Sequence, residues 1–317
     1  MIFKLFRKSS FLWDFLSFFS FSLLAMSSRP CFSETPDRRT HDALYDWARA
    51  SYGAADDWNT LYLNGLALGR LNPFWRERIK QDWQEGLSEV SDDLYLQTDN
   101  WLAMGDSLQH LAHEWKSLGL LHGWRDEKFD VFDDAGKVLF ALERAAFRPF
   151  GLMSQAVHLN GLVQTDGGWH FWIGRRSLHK AVDPDKLDNL VGGGIASGET
   201  PFEAACRESE EEAGLMPPAL DTLRPAARIH SLRPVSRGIH NEILHIFDIV
   251  LPETARPENQ DGEVAGFELM NVSQLVETML SQTMMHDAQL VTLEALKRYG
   301  ALDKQHPLNL WLDSLCR

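Results

Sequence analysis

The sequence has few cysteines, few cations relative to anions and no apolar run long enough to span a bilayer. Its three cysteines, Cys31, Cys206 and Cys316, are far apart and odd in number. We therefore expect neither a disulfide framework nor a zinc site of paired cysteines, and a reducing compartment fits best. The 31 lysines and arginines face 45 aspartates and glutamates, which gives a formal net charge of −14. Because such a chain repels phosphate backbones and anionic lipids, we expect no nucleic-acid partner and no stable membrane association.

The N-terminal segment, residues 1–32, differs in composition from the rest of the chain. Basic residues precede an apolar stretch at residues 15–25, a pattern typical of a secretion signal. Asp14 and the enzyme-like sequence downstream argue against export, and Met26 is an alternative start. Two interpretations of residues 1–32 stay open, a signal-like segment and a misplaced start. We expect a cytoplasmic protein, with export as the less favoured alternative.

Residues 40–150 show helical and strand-like patterns and no internal repeat. Apolar residues at helical spacing alternate with short strand-like runs. The predicted helices include residues 44–48 and 108–118, and the predicted strands are 61–63, 129–132 and 138–142. This mixture predicts a small α+β domain, and its length is usual for a domain.

Residues 151–317 are predicted to form a second domain with longer strands. Two strands, at residues 156–163 and 169–174, flank a turn signal and are predicted to form a hairpin. The predicted elements that follow are a helix at 201–213, a strand at 242–250 and a last helix from near His286 to Gly300. The chain as a whole is therefore assigned to the α+β class.

The segment from Gly193 to Leu215 carries the strongest local signals of the sequence. Thr200 is a good N-cap, Pro201 fits the first helical position, and Glu203 completes a capping box. Gly214 stands where a helix-ending glycine belongs. These signals predict a helix over residues 201–213.

The predicted helix carries an uncompensated group of glutamates. At 100° per residue, one face is expected to pack on the core and the opposite face to carry carboxylates. The core face is Phe202, Cys206, Ser209 and Ala213, and the acidic face is Glu208, Glu211 and Glu212. Arg207 can pair with Glu211, but the remaining repulsion implies a missing cation. Carboxylates are hard ligands, so Mg²⁺ is expected, with Mn²⁺ as the alternative, and Glu199 can reach the same place.

Two other interpretations of this segment explain its residues less well. A solvated acidic helix face is the usual explanation for a run of glutamates, but the cap, the preceding glycines and the spacing argue against it here. A phosphate-binding loop has the spacing of Gly193, Gly198 and Thr200. Glu199 stands where that loop needs its lysine, and its charge is wrong for cradling phosphate.

The segment resembles the Nudix box. The box is a glycine, five residues, Glu, seven residues and then Arg-Glu-aliphatic-any-Glu-Glu-any-Gly-aliphatic. The matching residues are Gly193, Glu199, Arg207, Glu208, Glu211, Glu212, Gly214 and Leu215. Ser209 replaces the usual aliphatic residue, and because this position is predicted to face the core, the departure concerns packing. A pattern of this length is highly specific.

The resemblance extends beyond the box, over most of residues 45–317. The chain is similar to the subfamily of Nudix proteins related to the Nudix portion of fungal thiamine pyrophosphokinase fusions. The matching residues are 123–127, 157–161, 175–177, Lys180, 187–189, 237–238, Glu242 and 261–264. The resemblance implies a small N-terminal α+β domain before a Nudix α/β/α sandwich with a mixed sheet. It also implies hydrolysis of thiamine diphosphate, or of its oxidised, damaged forms, to the monophosphate and phosphate.

The same resemblance implies roles for the acidic residues. Glu208, Glu211 and Glu212 are expected to bind the divalent ions and Glu199 to support them, while Arg207 holds a glutamate in place. The general base is left open between Glu212 and Glu263, which lies in an Asp-Gly-Glu turn. An ordinary exposed turn acid is the competing explanation for Glu263.

We expect the substrate to contact basic side chains and a flexible glycine backbone near the box. Arg175 and Arg176 end a strand, so one of them can bind the diphosphate through a forked pair of hydrogen bonds. Lys180 is a weaker candidate, for which a surface salt bridge is the competing explanation. Gly193 and Gly194 let the backbone bend close to a ligand.

Several alternatives stay open at this point. Trp124, Trp172 and His158 are candidates for ring stacking, although core packing is the commoner role of such residues. The substrate can instead be another organic diphosphate, such as a nucleotide sugar or a dinucleotide, or the protein can be a ligand-sensing module without chemistry. A prenyl-diphosphate isomerase needs a catalytic cysteine, whereas Cys206 is predicted to face the core. The expected partner is a small-molecule diphosphate, and a homodimer is not excluded.

Overall fold

The computed structural model describes residues 29–180, 182–217 and 219–317. The prediction of a signal-like segment at residues 1–32 lies almost wholly outside the described residues. Cys31–Arg317 form one compact unit. Within the described ranges, no helix combines the length and apolar character needed to cross a bilayer.

The first part of this unit contains two small sheets with helices between them. Its elements are α1 (Arg38–Ser51), β1 (Asn59–Leu63), β2 (Leu66–Leu71), α2 (Pro73–Asp82), β3 (Leu87–Val90), β4 (Asp93–Leu96), α3 (Trp101–Ser117), β5 (Lys128–Phe132), β6 (Val138–Glu143) and α4 (Phe147–Phe150). The four-stranded sheet has the order β2-β1-β4-β3, and β5 pairs with β6. Buried apolar residues between Leu61 and Leu152 form a core of their own.

The second part is built on a mixed seven-stranded sheet. Its elements are β7 (Ser154–Thr165), β8 (Gly168–Arg176), β9 (Leu187–Asp188), β10 (Val191–Gly194), α5 (Pro201–Ala213), β11 (Arg224–Val235), β12 (Gly238–Leu251), β13 (Val264–Met270), α6 (Val272–Leu280), α7 (His286–Arg298) and α8 (Pro307–Ser314). The main path has the order β11-β12-β7-β8-β13, with β10 paired to β7 and β9 to β8. Strand β12 runs parallel to β7, whereas β8 runs antiparallel to it. The mixed sheet and the α+β class are therefore confirmed.

Helices cover both faces of this sheet. Phe171 and Ile173 of β8 pack in a core with α7, and the neighbouring Trp172 packs in a separate core with α5. This alternation follows from the two-residue period of a strand and produces the α/β/α sandwich. Leu44 and Ala48 of α1 join the core on the α7 side. The domain boundary near residue 150 stays a prediction.

Several elements were not predicted from the sequence, and β11 shows why. This strand contains Pro225 and Pro234, and only two of its 12 residues are buried. Proline lacks the backbone donor that a central strand needs, and β11 is at the edge of the sheet, where proline is tolerated. Helices α2, α6 and α8 were also missed.

Candidate active site

Helix α5 begins and ends where the sequence predicts. The Thr200 hydroxyl accepts a hydrogen bond from the Glu203 N–H, and the Glu203 carboxylate accepts one from the Thr200 N–H at 2.9 Å. Pro201 is the first helical residue, and Gly214 ends the helix in the left-handed region with φ 63°. The capping box and the helix bounds are confirmed.

The face of helix α5 that is buried differs from the predicted face. It lies closer to the glutamates and includes one of them. The buried residues of the helix are Ala204, Ala205, Ser209, Glu212 and Ala213. Ser209 and Ala213 face the core as predicted, but Phe202 is 48% exposed and its placement in the core is wrong. The two adjacent alanines are small enough for close packing, so the helix rests on them and brings two carboxylates toward the sheet. The Ser209 hydroxyl donates to the Ala205 carbonyl, which satisfies it in the core.

The glycine strand β10 lies directly under these carboxylates. A Cβ on Gly193 would be 2.0 Å from the Glu208 carboxyl carbon, and a Cβ on Gly194 would be 2.4 Å from the Phe129 ring. The Gly192 N–H donates to Glu212 at 2.9 Å. Gly193 and Gly194 thus lie in an extended strand and not in the predicted bend, and their missing side chains leave room for the Glu208 carboxylate and the Phe129 ring.

Arg207 holds three carboxylates of the site together. Its guanidinium donates to Glu199 at 2.8 and 3.0 Å, to Glu208 at 2.7 Å and to Glu211 at 3.2 Å. It also reaches the Gly194 carbonyl at 3.3 Å. The predicted pairing with Glu211 is present, and these contacts make Arg207 a residue that positions the acidic side chains.

Lys180 lies between Glu212 of the helix and Glu263 of a distant turn. Its ammonium is 3.1 Å from Glu212 and also forms an ion pair with Glu263. With 9% of its side chain exposed, Lys180 does not form the surface salt bridge considered from the sequence. Burial lowers the pKa of Lys180, but the charges of Glu212 and Glu263 outweigh burial and raise it.

The two carboxylates beside Lys180 have opposite electrostatic character. Burial raises the pKa of Glu212 to about 8, despite the lowering effect of the lysine. Burial also acts upward on the pKa of Glu263, but the hydrogen bond from Lys180 and the charge of Arg125 hold it below the usual value. Burial raises the pKa of Glu208 as well. The site therefore holds carboxylates whose charge the protein alone stabilises poorly.

Arg125 is a site residue that the sequence reasoning did not single out. Its guanidinium lies 3.1 Å from Glu263, 138 positions along the chain. In the sequence, only the wider resemblance includes the run from Gly123 to Glu127. A long-range contact of this kind leaves no local periodic signal, so spacing alone does not reveal it.

The two adjacent arginines at the end of β8 contact other groups. Arg175 pairs with Asp185 at 3.6 Å and with Glu268 at 3.5 Å. Arg176 is buried and bonds to Asp188 at 2.6 Å. Their side chains point to opposite faces of the sheet, as predicted. Arg176 is enclosed, whereas Arg175 is partly exposed.

The remaining candidates lie in packed or bonded surroundings. His158 is buried and bonds to Asn189 at 2.9 Å, and Trp172 belongs to the core under α5. The Trp124 ring lies over Lys116, 4.2 Å from its ammonium. Cys206 is half-buried, and burial raises the pKa of its thiol, which does not favour an acid–base role.

A second group of metal-ligand side chains is present at another place in the fold. The ligand atoms of His240, Glu242 and Asp287 lie within 4.8 Å of one another. Arg148 is 3.0 Å from Glu242, and Arg233 is 3.3 Å from Asp287. Because each carboxylate already has a guanidinium partner, this group is explained as a buried ion-pair network.

Comparison with known proteins identifies similar sequences and structures. Residues 156–293 match the NUDIX domain family. The chain is 36% identical over 203 residues to Nudix hydrolase 24, chloroplastic, and 37% identical over 205 residues to Nudix hydrolase 20, chloroplastic, both of Arabidopsis thaliana. These matches cover 62% and 64% of this chain and 55% and 54% of the relatives, so the chain spans about half their length. A crystal structure from Deinococcus radiodurans matches 52% of this chain and 98% of its own, with 25% identity and a TM-score of 0.41.

Proposed function

We propose that the chain is a metal-dependent Nudix hydrolase of a small-molecule diphosphate, because residues 156–293 match the NUDIX domain family. The charge of the site carries the proposal. Among the described residues, five carboxylates of the site pair with three cationic side chains. The carboxylates are Glu199, Glu208, Glu211, Glu212 and Glu263, and the cations are Arg125, Lys180 and Arg207. When all five carboxylates are ionised, two negative charges remain uncompensated, which equals the charge that one divalent cation neutralises.

The donor set fits a hard divalent cation. Glu208, Glu211 and Glu212 would hold it, and Glu199 supports the set through Arg207. All four offer carboxylate oxygens, which favour Mg²⁺, with Mn²⁺ as the alternative. A divalent ion held by these residues would supply polarisation of phosphate oxygens and a lowered pKa for an attacking water. The unfavourable burial of Glu208 and Glu212 as anions is what such a cation would relieve.

Glu263 is the residue we propose as proton acceptor. Its low pKa keeps it ionised, so it can take a proton from the attacking water. The Asp261 side chain accepts a hydrogen bond from the Glu263 N–H at 2.8 Å and fixes the turn that carries it. Lys180 is placed to orient Glu263 and to meet a phosphate oxygen. Glu212 is the alternative base, and its pKa near 8 leaves it largely protonated without a cation.

The proposed substrate is thiamine diphosphate or one of its oxidised analogues, cleaved to the monophosphate and phosphate. Its support is the wider sequence resemblance, which includes Lys180 and the 261–264 turn, whose Glu263 pairs with Lys180. Nucleotide sugars and dinucleotides are the competing substrates, because a shared fold does not fix a substrate. The site is expected to act on a free small molecule in the cytoplasm.

A turnover screen tests this proposal. Purified protein would be incubated with Mg²⁺ and a panel of thiamine diphosphate, its oxidised forms, nucleotide sugars and dinucleoside polyphosphates, and phosphate release would be measured. We expect release from the thiamine compounds and slower release from the rest. Phosphate release from only another class of compound would contradict the assignment of a thiamine substrate. Binding without any turnover would indicate a ligand-sensing module instead of a hydrolase.

A further inference from the structure

Asp130 of strand β5 holds the loop that leads into helix α5. One carboxylate oxygen of Asp130 accepts a hydrogen bond from the Ser197 hydroxyl at 2.6 Å, and the other accepts one from the Gly198 N–H at 2.9 Å. The Ser197 N–H donates to the carbonyl of Lys128, two residues before Asp130, at 2.8 Å. Both oxygens of one carboxylate in the first part of the chain are thus directed at a single loop of the second part.

The loop that Asp130 holds ends in a carboxylate of the candidate active site. The Glu199 N–H donates to the Ala196 carbonyl at 3.0 Å, and the Glu199 carboxylate accepts a hydrogen bond from the Ala196 N–H at 3.1 Å. Gly198, within this turn, has a φ of +82°, a conformation that favours glycine. The Glu199 carboxylate also accepts two hydrogen bonds from Arg207. A displacement of the turn would therefore move Glu199 and, through Arg207, the other glutamates that Arg207 contacts.

The first part of the chain contacts the site at a second place. Arg125, three residues before β5, pairs with Glu263 at 3.1 Å. Arg125 and Asp130 both lie outside residues 156–293, which match the NUDIX domain family. One short segment of the first part therefore contacts both the loop before α5 and the turn that carries the proposed proton acceptor.

We propose that Asp130 is a positioning residue for the metal site, because its two hydrogen bonds fix the loop that places Glu199 and Arg207. Ser197 and Gly198 are exposed, so without Asp130 water would replace it as their partner and the turn would lose its fixed place. Residues that orient the ligands of a metal typically contribute 10- to 100-fold to its affinity or to activity. The inference rests on the proposed function for the presence of a divalent ion.

A competing explanation is that Asp130 only joins the two parts of the chain. In that role it would contribute to the unfolding temperature, and its loss would leave the metal affinity of the folded protein unchanged. Metal affinity, measured where thermal unfolding in EDTA shows each variant to be folded, therefore separates the two roles.

Titration of the full chain with Mn²⁺, without substrate, tests the positioning role. Asp130→Ala removes both hydrogen bonds and should weaken Mn²⁺ binding at least about tenfold. Asp130→Asn should bind nearly as well as the wild type, because its amide oxygen can accept from the Gly198 N–H and its amide group can donate to the Ser197 hydroxyl. The matched control is Asp134→Ala, at an exposed position in the turn between β5 and β6, and it should bind like the wild type.

Three results would overturn the proposal. They are an unchanged Mn²⁺ affinity in Asp130→Ala, an equal loss in Asp130→Asn and Asp130→Ala, and no Mn²⁺ binding by the wild type. If Asp130→Ala is unfolded at the temperature of the titration, Ser197→Ala decides. It loses one of the two hydrogen bonds, so its affinity should fall by about threefold, half of the tenfold loss on a free-energy scale. A wild-type affinity in Ser197→Ala would then overturn the proposal.

The titration also distinguishes this inference from the proposed function. Mn²⁺ binding that depends on Asp130, without turnover of any compound in the screen, would support the positioning role and contradict the hydrolase. Metal-dependent turnover, together with unchanged Mn²⁺ affinity in Asp130→Ala, would support the hydrolase and contradict the positioning role.

Discussion

At the residue scale, the site depends on side chains that hold other side chains. Lys180 links Glu212 with Glu263, although 83 positions separate the lysine from the second glutamate. Arg207 gathers Glu199, Glu208 and Glu211. These two cations bring the carboxylates together, as a preorganised electrostatic site requires.

Replacing the proposed proton acceptor tests this arrangement. Glu263→Gln should lower kcat by about 10²–10⁴, the usual contribution of a general base, with a smaller effect on KM. The measurement is steady-state phosphate release with saturating Mg²⁺. Glu253→Gln, an exposed position in the same β12–β13 connection, serves as the control and should match the wild type. A wild-type kcat in Glu263→Gln would show that another residue accepts the proton.

At the element scale, the contact between α5 and β10 decides where the carboxylates lie. The helix rests on Ala204 and Ala205, and the absence of a side chain on Gly193 leaves the place that the Glu208 carboxylate occupies. The sequence could predict the helix bounds, because capping is local. The sequence could not predict which face of α5 is buried, because that depends on how the helix packs on strand β10.

Substitution of neighbouring glycines separates the roles of the two positions. In Gly193→Ala the new methyl group meets the end of the flexible Glu208 side chain, which can move. We expect a free energy of unfolding near that of the wild type and a strong loss of the metal-dependent activity. In Gly194→Ala the methyl group meets the Phe129 ring, so unfolding free energy should fall by about 1–3 kcal/mol. Denaturant unfolding and turnover of both variants check this, and full activity in Gly193→Ala would contradict it.

Prediction succeeded where signals were local and failed where contacts were distant. The box, the caps and the β7–β8 hairpin lie within short segments, and their patterns indicated their structures directly. Arg125 has no such pattern, since its partner Glu263 comes from a distant part of the chain. The half-exposed strand β11 and the short helices were missed because neither periodicity nor propensity is strong there.

At the scale of the whole molecule, the buried ion pairs join segments from both parts of the chain. Arg148, before β7, bonds to Glu242 of β12 and to Ser154. Burial acts to raise the pKa of Glu242, but the charges of Arg148 and His240 outweigh it and lower the pKa to about 2. The folded state therefore favours the ionised carboxylate relative to the unfolded chain, where the pKa is near 4.5.

This shift predicts acid sensitivity. The contribution of Glu242 to stability is complete above about pH 4.5 and is lost as the pH falls toward 2, by on the order of 3 kcal/mol. Urea unfolding at several pH values should show a smaller decline below pH 4.5 for Glu242→Gln than for the wild type. Glu242→Gln should also be less stable at neutral pH, because Arg148 loses its anion. An unchanged pH slope would contradict the assignment.

We propose that the glutamate face of α5 performs metal-dependent hydrolysis. Its most direct test is phosphate release from thiamine diphosphate and its oxidised analogues, with Mg²⁺ and with EDTA, by the wild type, Glu212→Gln and Glu210→Gln. Glu210 is exposed on the same helix, so this variant is the matched control. We predict Mg²⁺-dependent release that Glu212→Gln reduces at least about hundredfold and Glu210→Gln leaves unchanged. Release that persists in EDTA, or that is equal in all three proteins, would contradict the account.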